Sequence, residues 1–134
     1  MKNLKKILIV DDETINLDYL EMMLSKNGFS VEKACDGKEA LEKVKLFMPD
    51  LILLDIIMPK MSGSGVVKAL KDDPKYRDIP VIICSAVDDI KEKDERFRLG
   101  IKEYITKPFR FKTVLEQIRK ALKDNSGNRI GGKR

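Results

Sequence analysis

Three runs of four consecutive apolar residues constrain the fold of this chain more than any other feature of its sequence. They are Ile7–Val10, Leu51–Leu54 and Val81–Cys84. Apolar and polar residues do not alternate within these runs, which is typical of strands buried on both faces of a parallel sheet. Two weaker segments, Phe29–Ala34 and Tyr104–Ile105, are predicted as edge strands. The pattern therefore predicts five strands, three of them central.

Helical patterns occupy the intervals between the strands. Apolar residues recur at helical spacing in four segments, Leu17–Leu24, Ala40–Phe47, Val66–Leu70 and Phe111–Leu122. Gly28 is a stop signal after the first, and Asp36 with Glu39 is typical of a capping box before the second. The segment Asp89–Leu99 has few apolar residues, which favours an exposed helix that docks weakly.

Strand and helix alternate five times, which predicts one α/β domain with a parallel sheet and helices on both of its faces. We expect this domain to cover residues 1–123. Residues 124–134 are rich in polar residues and glycine and can bury little surface, so they are predicted to form a flexible tail or linker remnant.

Composition and charge exclude several kinds of function. The 134 residues include no histidine, so a Ser-His-Asp triad, a Cys-His pair and an imidazole zinc site are excluded. The net charge of +5 suggests a nucleic-acid or membrane partner. However, residues 11–123 carry equal numbers of basic and acidic side chains, so the excess lies at the termini. We therefore expect no direct nucleic acid binding by this domain.

The sequence also indicates where the chain resides. No apolar run approaches the length of a membrane span, and the first residues lack the pattern of a signal peptide. Cys35 and Cys84 lie in apolar contexts without CxxC spacing, which is typical of reduced thiols. We expect a cytoplasmic protein without membrane insertion.

Polar residues follow the predicted strands at the points where chemistry is expected. Asp11 and Asp12 follow the first strand, Asp55 the third, Ser85 the fourth and Lys107 the fifth. If the first and third strands are neighbours, three carboxylates share one pocket at the carboxyl edge of the sheet. Because the three carboxylates repel one another, either a cation binds between them or the pKa of at least one of them is raised. A site that offers only oxygen ligands suits Mg²⁺. With one amine and one hydroxyl, the pocket fits phosphoryl transfer to a carboxylate nucleophile.

Most of these residues also have a purely structural interpretation. Asp11 or Asp12 could be the N-cap of the helix that follows. Ser85 could be an ordinary loop hydroxyl, and Lys107 a solvated amine. Asp55 is harder to explain in this way, because it follows four apolar strand residues and a charge there is costly without a partner.

From about Lys5 to Lys123 the sequence resembles the receiver domain of bacterial two-component response regulators. The motifs that carry the resemblance are Ile7-Leu8-Ile9-Val10-Asp11-Asp12-Glu13, Leu53-Leu54-Asp55-Ile56-Ile57-Met58-Pro59 with Gly63, Ser85-Ala86 and Lys107-Pro108-Phe109. The resemblance implies a flavodoxin-like (βα)5 fold, a doubly wound parallel sheet with strand order 2-1-3-4-5.

The resemblance further implies a role for each acidic residue. Asp55 is expected to accept a phosphoryl group from a sensor histidine kinase or a histidine phosphotransfer protein. Asp11, Asp12, Asp55 and the backbone carbonyl of Ile57 are expected to bind Mg²⁺. The donor imidazole belongs to the partner, which fits the absence of histidine from this chain.

The basic and switch residues are assigned by the same resemblance. Lys107 is expected to pair with the carboxylate and then with the phosphoryl oxygens, and the Lys107–Pro108 bond is expected to be cis. Ser85 and Tyr104 occupy the switch positions. Phosphorylation should then shift the packing of a surface formed by the fourth predicted helix, the fifth strand and the fifth helix. That surface includes Lys93, Phe97, Tyr104 and Phe111.

Two apolar residues depart from the pattern of many receivers. Ile57 and Val87 stand two positions after Asp55 and Ser85, where many receivers carry a side chain that can orient water. We therefore expect slow hydrolysis of the aspartyl phosphate. The chain is expected to catalyse only its own phosphorylation and dephosphorylation, and to act on a downstream protein or on an effector domain outside this sequence.

Three alternatives compete with this interpretation. A degenerate receiver would be a protein-interaction module that works without phosphorylation. An aspartate-nucleophile phosphohydrolase usually carries a second acid where this chain has Ile57. A flavodoxin-type cofactor binder needs a Ser/Thr/Gly-rich phosphate loop after the first strand, where this chain has Asp11-Asp12-Glu13.

Overall fold

Five parallel strands, each in the region where the sequence predicts one, form the centre of the fold. The computed structural model describes residues 3–55, 63–86 and 103–131. The elements in chain order are β1 (Lys6–Val10), α1 (Thr14–Lys26), β2 (Ser30–Ala34), α2 (Gly37–Phe47), β3 (Leu51–Leu54), α3 (Gly63–Lys71), β4 (Val81–Ala86), β5 (Glu103–Lys107) and α4 (Phe111–Gly131).

The strands pair in the order β2-β1-β3-β4-β5. All four pairs are parallel, and Val10 of β1 lies in register with Leu54 of β3. The predicted flavodoxin-like order is therefore confirmed. Because β1 and β3 are neighbours, the loops that leave them are adjacent at the carboxyl edge of the sheet.

Each face of the sheet carries its own apolar core, which explains why the central strands are apolar at every position. On one face Ile7 and Ile9 pack with leucines of α1 and with Val114 and Ile118 of α4. On the other face the alternate residues of β1 pack with α2 and α3. Successive strand residues point to opposite faces, so a strand covered on both sides must be apolar throughout.

Local sequence signals set the ends of α1 and α2. Gly28, with φ of 90°, follows the C-cap of α1, and its N–H donates to the Ser25 carbonyl at 3.2 Å. The N–H of Phe29 donates to the Leu24 carbonyl, which completes a Schellman motif. Asp36 caps α2 by accepting the Glu39 N–H at 2.8 Å, as its sequence predicts.

The side chain of Lys43 covers the outer edge of β2, which is an edge strand of the sheet. The Lys43 amine donates to the Lys33 carbonyl at 2.7 Å and pairs with Glu32 at 3.2 Å. The Ala34 carbonyl accepts the N–H of Asp11, the residue after β1, so the Lys33 carbonyl before it points to the outer side of the strand. Lys33 itself pairs with Asp18 and Glu21 of α1.

The structure differs from the sequence prediction at several places. β4 extends to Ala86 and β5 to Lys107, so Ser85 and Lys107 lie within strands rather than after them. The backbone of α4 is helical to Gly131, beyond the predicted domain boundary at Lys123, which stays a prediction.

The expectation that both cysteines lie in apolar surroundings is wrong for one of them. Cys35 is exposed and Cys84 is buried, and both are free thiols. Burial raises the pKa of the Cys84 thiol to about 12. Among the helices that the structure describes, none is both long and apolar enough to cross a bilayer. The predicted helix Asp89–Leu99, with Lys93 and Phe97, lies outside the described residues.

Candidate functional site

Two backbone hydrogen bonds fix the loops that carry the acidic residues. Asp11 follows β1, and its N–H donates to the Ala34 carbonyl at 3.1 Å. Asp55 follows β3, and its N–H donates to the Val10 carbonyl at 3.0 Å. The parallel ladder therefore continues one residue past each strand, and it places both carboxylates at the same edge of the sheet.

The three predicted carboxylates come together at this edge. Asp11, Asp12 and Asp55 each offer an oxygen, and these oxygens lie within 4.8 Å of one another. Asp11 and Asp55 are 5% and 7% exposed, whereas Asp12 is exposed. Two largely desolvated carboxylates next to a third form a strongly negative pocket that attracts a cation.

The side-chain amine of Lys107, at the end of β5, brings a positive charge into the site. Its amine lies 2.9 Å from Asp11 Oδ2 and 3.3 Å from Asp55 Oδ2. Burial by itself would lower the pKa of this amine, but the hydrogen bonds and charges of Asp11 and Asp55 outweigh it, so the pKa is raised. Lys107 is therefore protonated at neutral pH and bridges two of the three acids.

Neither Asp11 nor Asp12 caps α1, so that structural alternative is wrong. The N-cap of α1 is Glu13, which makes no side-chain capping bond. Asp11 Oδ1 instead accepts the Glu13 N–H at 3.0 Å. This bond orients the Asp11 side chain toward the site.

Two further polar side chains belong to the site and were not assigned a role from the sequence. Asn16 donates to Asp11 Oδ2 at 3.3 Å and to Glu13 Oε1 at 2.8 Å. Glu13 Oε1 lies 3.8 Å from the Lys107 amine. The signal available in the sequence was the spacing of Glu13 and Asn16, because residues three apart in a helix share a face.

The two predicted switch residues lie on neighbouring strands. Ser85 is fully buried near the carboxyl end of β4, in register with Thr106 of β5. Tyr104 is half-buried in β5, and its ring packs against the core formed with α2 and α3. Ile57, the fourth predicted metal ligand, lies outside the described residues, as does Val87.

The donor set fits a hard divalent cation. The described cluster offers three carboxylate oxygens and neither sulfur nor imidazole. Mg²⁺ prefers such oxygens and usually keeps several waters. The exposed carboxylate of Asp12 leaves one side of the cluster open to hydrated ions.

An open cavity and an apolar helix face adjoin the site. The cavity has a volume of about 450 Å³ and is lined by Asn16, Tyr19, Lys107, Pro108 and Phe109. The Lys107–Pro108 bond is cis, as the resemblance implied. Next to the cavity, α1 exposes Ile15, Tyr19 and Met22. These side chains lie four and three residues apart, so they form one apolar stripe on the helix.

Comparison of the sequence with known proteins points to response regulators. The model of the response regulator receiver domain family matches residues 7–119. A probable transcriptional regulator, ycf27 of Cyanophora paradoxa, is 41% identical over 90% of this chain and 49% of its own length. Response regulator PleD of Caulobacter vibrioides is 36% identical over 94% of this chain and 30% of its own length. The chain thus spans half or less of these curated relatives.

Solved structures agree with the fold. A CheY-like receiver domain protein from Methanospirillum hungatei has a TM-score of 0.85 and 31% identity, covering 94% of this chain and 99% of that one. Chemotaxis protein CheY4 of Vibrio cholerae has a TM-score of 0.83 and 30% identity, covering 89% and 99%. The chain therefore belongs to the response regulator receiver domain family.

Proposed function

We propose that this chain accepts a phosphoryl group on Asp55 from a phosphohistidine of a sensor kinase or a phosphotransfer protein. The observation that carries the proposal is the meeting of three carboxylates with one lysine amine at the edge of the sheet. Such a group of charges is costly to hold together, because like charges repel in a partly desolvated pocket. A site that binds a cation and a phosphoryl group would explain why the fold holds these charges together despite their repulsion.

In the proposed step, an oxygen of Asp55 attacks phosphorus as the P–N bond of the donor breaks. The bonding electrons leave with the imidazole of the partner, which takes up a proton, and the product is an acyl phosphate on Asp55. Asp55 is 7% exposed, its backbone N–H is bonded to the Val10 carbonyl, and its carboxylate contacts the Lys107 amine at 3.3 Å, so the nucleophile is already held in the pocket.

Asp11, Asp12, Asp55 and the Ile57 carbonyl are the proposed Mg²⁺ ligands. When bound, the ion neutralises charge that develops on the phosphoryl oxygens. Lys107 already contacts Asp55 at 3.3 Å, so its amine can pass to an oxygen of the new phosphoryl group without leaving the pocket. The raised pKa of Lys107 keeps the amine charged throughout.

The signal is proposed to leave the site through Ser85 and Tyr104. A phosphoryl group adds about two negative charges and three acceptor oxygens beside the carboxyl end of β4. Ser85 can donate its hydroxyl to one of these oxygens, and its displacement changes the packing around Tyr104. We propose that the surface formed by the predicted helix 89–99, β5 and α4 changes as a result and binds a downstream protein or effector domain.

The apolar stripe Ile15, Tyr19 and Met22 is the proposed docking surface for the protein donor. Ile15 is 81% exposed and lies in the first turns of α1, next to the acidic loop. Exposed apolar groups at the margin of a polar site are typical of a protein-binding surface. The partner would thereby bring its phosphohistidine toward the cavity beside Lys107.

The proposal is tested by loading the chain with a small phosphodonor, such as acetyl phosphate, with and without Mg²⁺. We expect one added phosphate that depends on Mg²⁺ and is located on Asp55 by mass spectrometry after borohydride reduction. Asp55→Asn is the matched variant and should remain unmodified. Modification of another residue, or loading that ignores Mg²⁺, would contradict the proposal.

The same experiment separates the alternatives. A degenerate receiver would take up no phosphate, although the presence of competent residues at every described site position does not favour this alternative. A phosphohydrolase would turn over added phosphodonor continuously. We propose that this chain takes up one equivalent of phosphate, releases it slowly and catalyses no other reaction.

A further inference from the structure

The side chain of Asn16 lies between two carboxylates of the site. Its amide group donates to Asp11 Oδ2 at 3.3 Å and to Glu13 Oε1 at 2.8 Å. An amide group carries two donors, and here both are directed at acids. Asn16 is therefore a neutral link between the pocket and the exposed carboxylate of Glu13, which is 66% exposed.

Glu13 competes for the lysine on which the pocket depends. Its Oε1 lies 3.8 Å from the Lys107 amine, beyond hydrogen-bond distance but within reach of a side-chain rotation. The same oxygen accepts the amide of Asn16 at 2.8 Å. If this bond were absent, the Glu13 carboxylate could move to Lys107 and draw the amine away from Asp55.

We propose that Asn16 is a positioning residue that holds the Glu13 carboxylate away from Lys107. This inference rests on the proposed function, because it concerns how the amine is kept available for a phosphoryl group. The bond to Asp11 orients the amide, and the bond to Glu13 restrains the competing acid. The interaction is local, since Asn16 lies in the first turns of α1 and contacts the site directly.

The test measures the binding of beryllofluoride, a phosphoryl mimic, to the unphosphorylated protein at saturating Mg²⁺. Wild type, Asn16→Ala, Glu13→Gln and the double variant form a complete cycle. Affinity is read by titration, and the environment of the bound fluorides is read by ¹⁹F NMR. Thermal unfolding verifies that each variant is folded.

We expect Asn16→Ala to weaken beryllofluoride binding about tenfold, the lower end of the effect of partners that orient a site. The ¹⁹F spectrum should change as the contact with Lys107 is lost. Glu13→Gln removes the competing charge, so Asn16→Ala should have little effect in that background. Asn16→Gln keeps an amide donor and should restore part of the affinity.

Asn27→Ala is the matched control. Its amide donates to the Met23 carbonyl at the other end of the same helix, so the variant loses an asparagine hydrogen bond far from the site. We expect wild-type affinity for beryllofluoride from it.

Two results would overturn the inference. One is wild-type affinity in Asn16→Ala, and the other is an equal loss in the presence and absence of the Glu13 charge. Failure of wild type itself to bind beryllofluoride would instead count against phosphorylation of Asp55, so the two proposals can be separated.

Discussion

Neutralising Asp12 should stabilise the protein in the absence of Mg²⁺ and remove its stabilisation by the ion. Asp12 is exposed, and within the described residues it makes no hydrogen bond or ion pair, yet its carboxylate lies within 4.8 Å of those of Asp11 and Asp55. Asp12→Asn keeps the size of the side chain and removes one charge. The folded protein then loses two repulsions, with Asp11 and Asp55, and one attraction, to Lys107.

The size of the effect follows from the distances. Two charges about 4.8 Å apart repel by roughly 0.9 kcal/mol in a water-like medium, which suits an exposed group. Removal of two such repulsions and of one attraction of similar size should raise the free energy of unfolding by about 1 kcal/mol. For a chain of this length that corresponds to a rise in Tm of about 4 °C at low salt, and added salt should reduce it.

Thermal unfolding with and without Mg²⁺ is the appropriate assay. For wild type, Mg²⁺ at ten times its dissociation constant should add about 1.4 kcal/mol to the free energy of unfolding. Asp12→Asn should have a higher Tm than wild type without the ion and show little further increase with it. Asp78→Asn is the control, because Asp78 is an exposed aspartate that precedes β4 at the opposite edge of the sheet. A lower Tm for Asp12→Asn without Mg²⁺, or an unchanged response to the ion, would refute the reasoning.

Three further predictions concern other parts of the molecule. Ile15→Asp should slow phosphotransfer from a histidine donor protein about tenfold, the loss expected when a residue near the centre of an interface is replaced by a charge. It should leave loading by acetyl phosphate unchanged. Leu46→Asp, an equally exposed apolar position on α2, should alter neither rate. A side-chain hydrogen bond with Glu39 raises the pKa of the Cys35 thiol. Glu39→Gln should therefore lower the pKa of this thiol and move the pH profile of its labelling by iodoacetamide to lower pH. An unchanged profile would contradict this prediction. Gly28→Ala places a Cβ at φ of 90° and should cost about 1 to 2 kcal/mol in urea unfolding, whereas Gly28→Asn should cost less because asparagine tolerates this region.

Much of the fold follows from simple patterns in the sequence. The run Leu51–Leu54 predicts a buried strand with the same bounds that the structure shows. The strand ends were less predictable at β4 and β5, where Ser85 and Lys107 continue the ladder. A polar residue can remain in a strand when neighbouring strands still satisfy its backbone, and sequence alone does not show that pairing.

The site was predictable to the extent that strand order brings its residues together. Asp11, Asp12 and Asp55 meet because β1 lies beside β3 and the loops leave the same edge, and the Lys107 amine reaches two of them from the end of β5. Asn16 was missed because its role depends on the direction of a side chain in the first turns of α1. Asparagine at such a position has many structural explanations, so only the contacts reveal its link to the acids.

The lysine that covers the outer edge of β2 affects how copies of this chain can meet. An exposed strand edge invites pairing with a strand from another molecule, and such pairing leads to aggregation. The 2.7 Å bond from Lys43 to the Lys33 carbonyl occupies an acceptor that an incoming strand would require. A second molecule would first have to displace this amine and break its ion pair with Glu32. Growth of the sheet from one copy into the next is therefore disfavoured at its β2 edge.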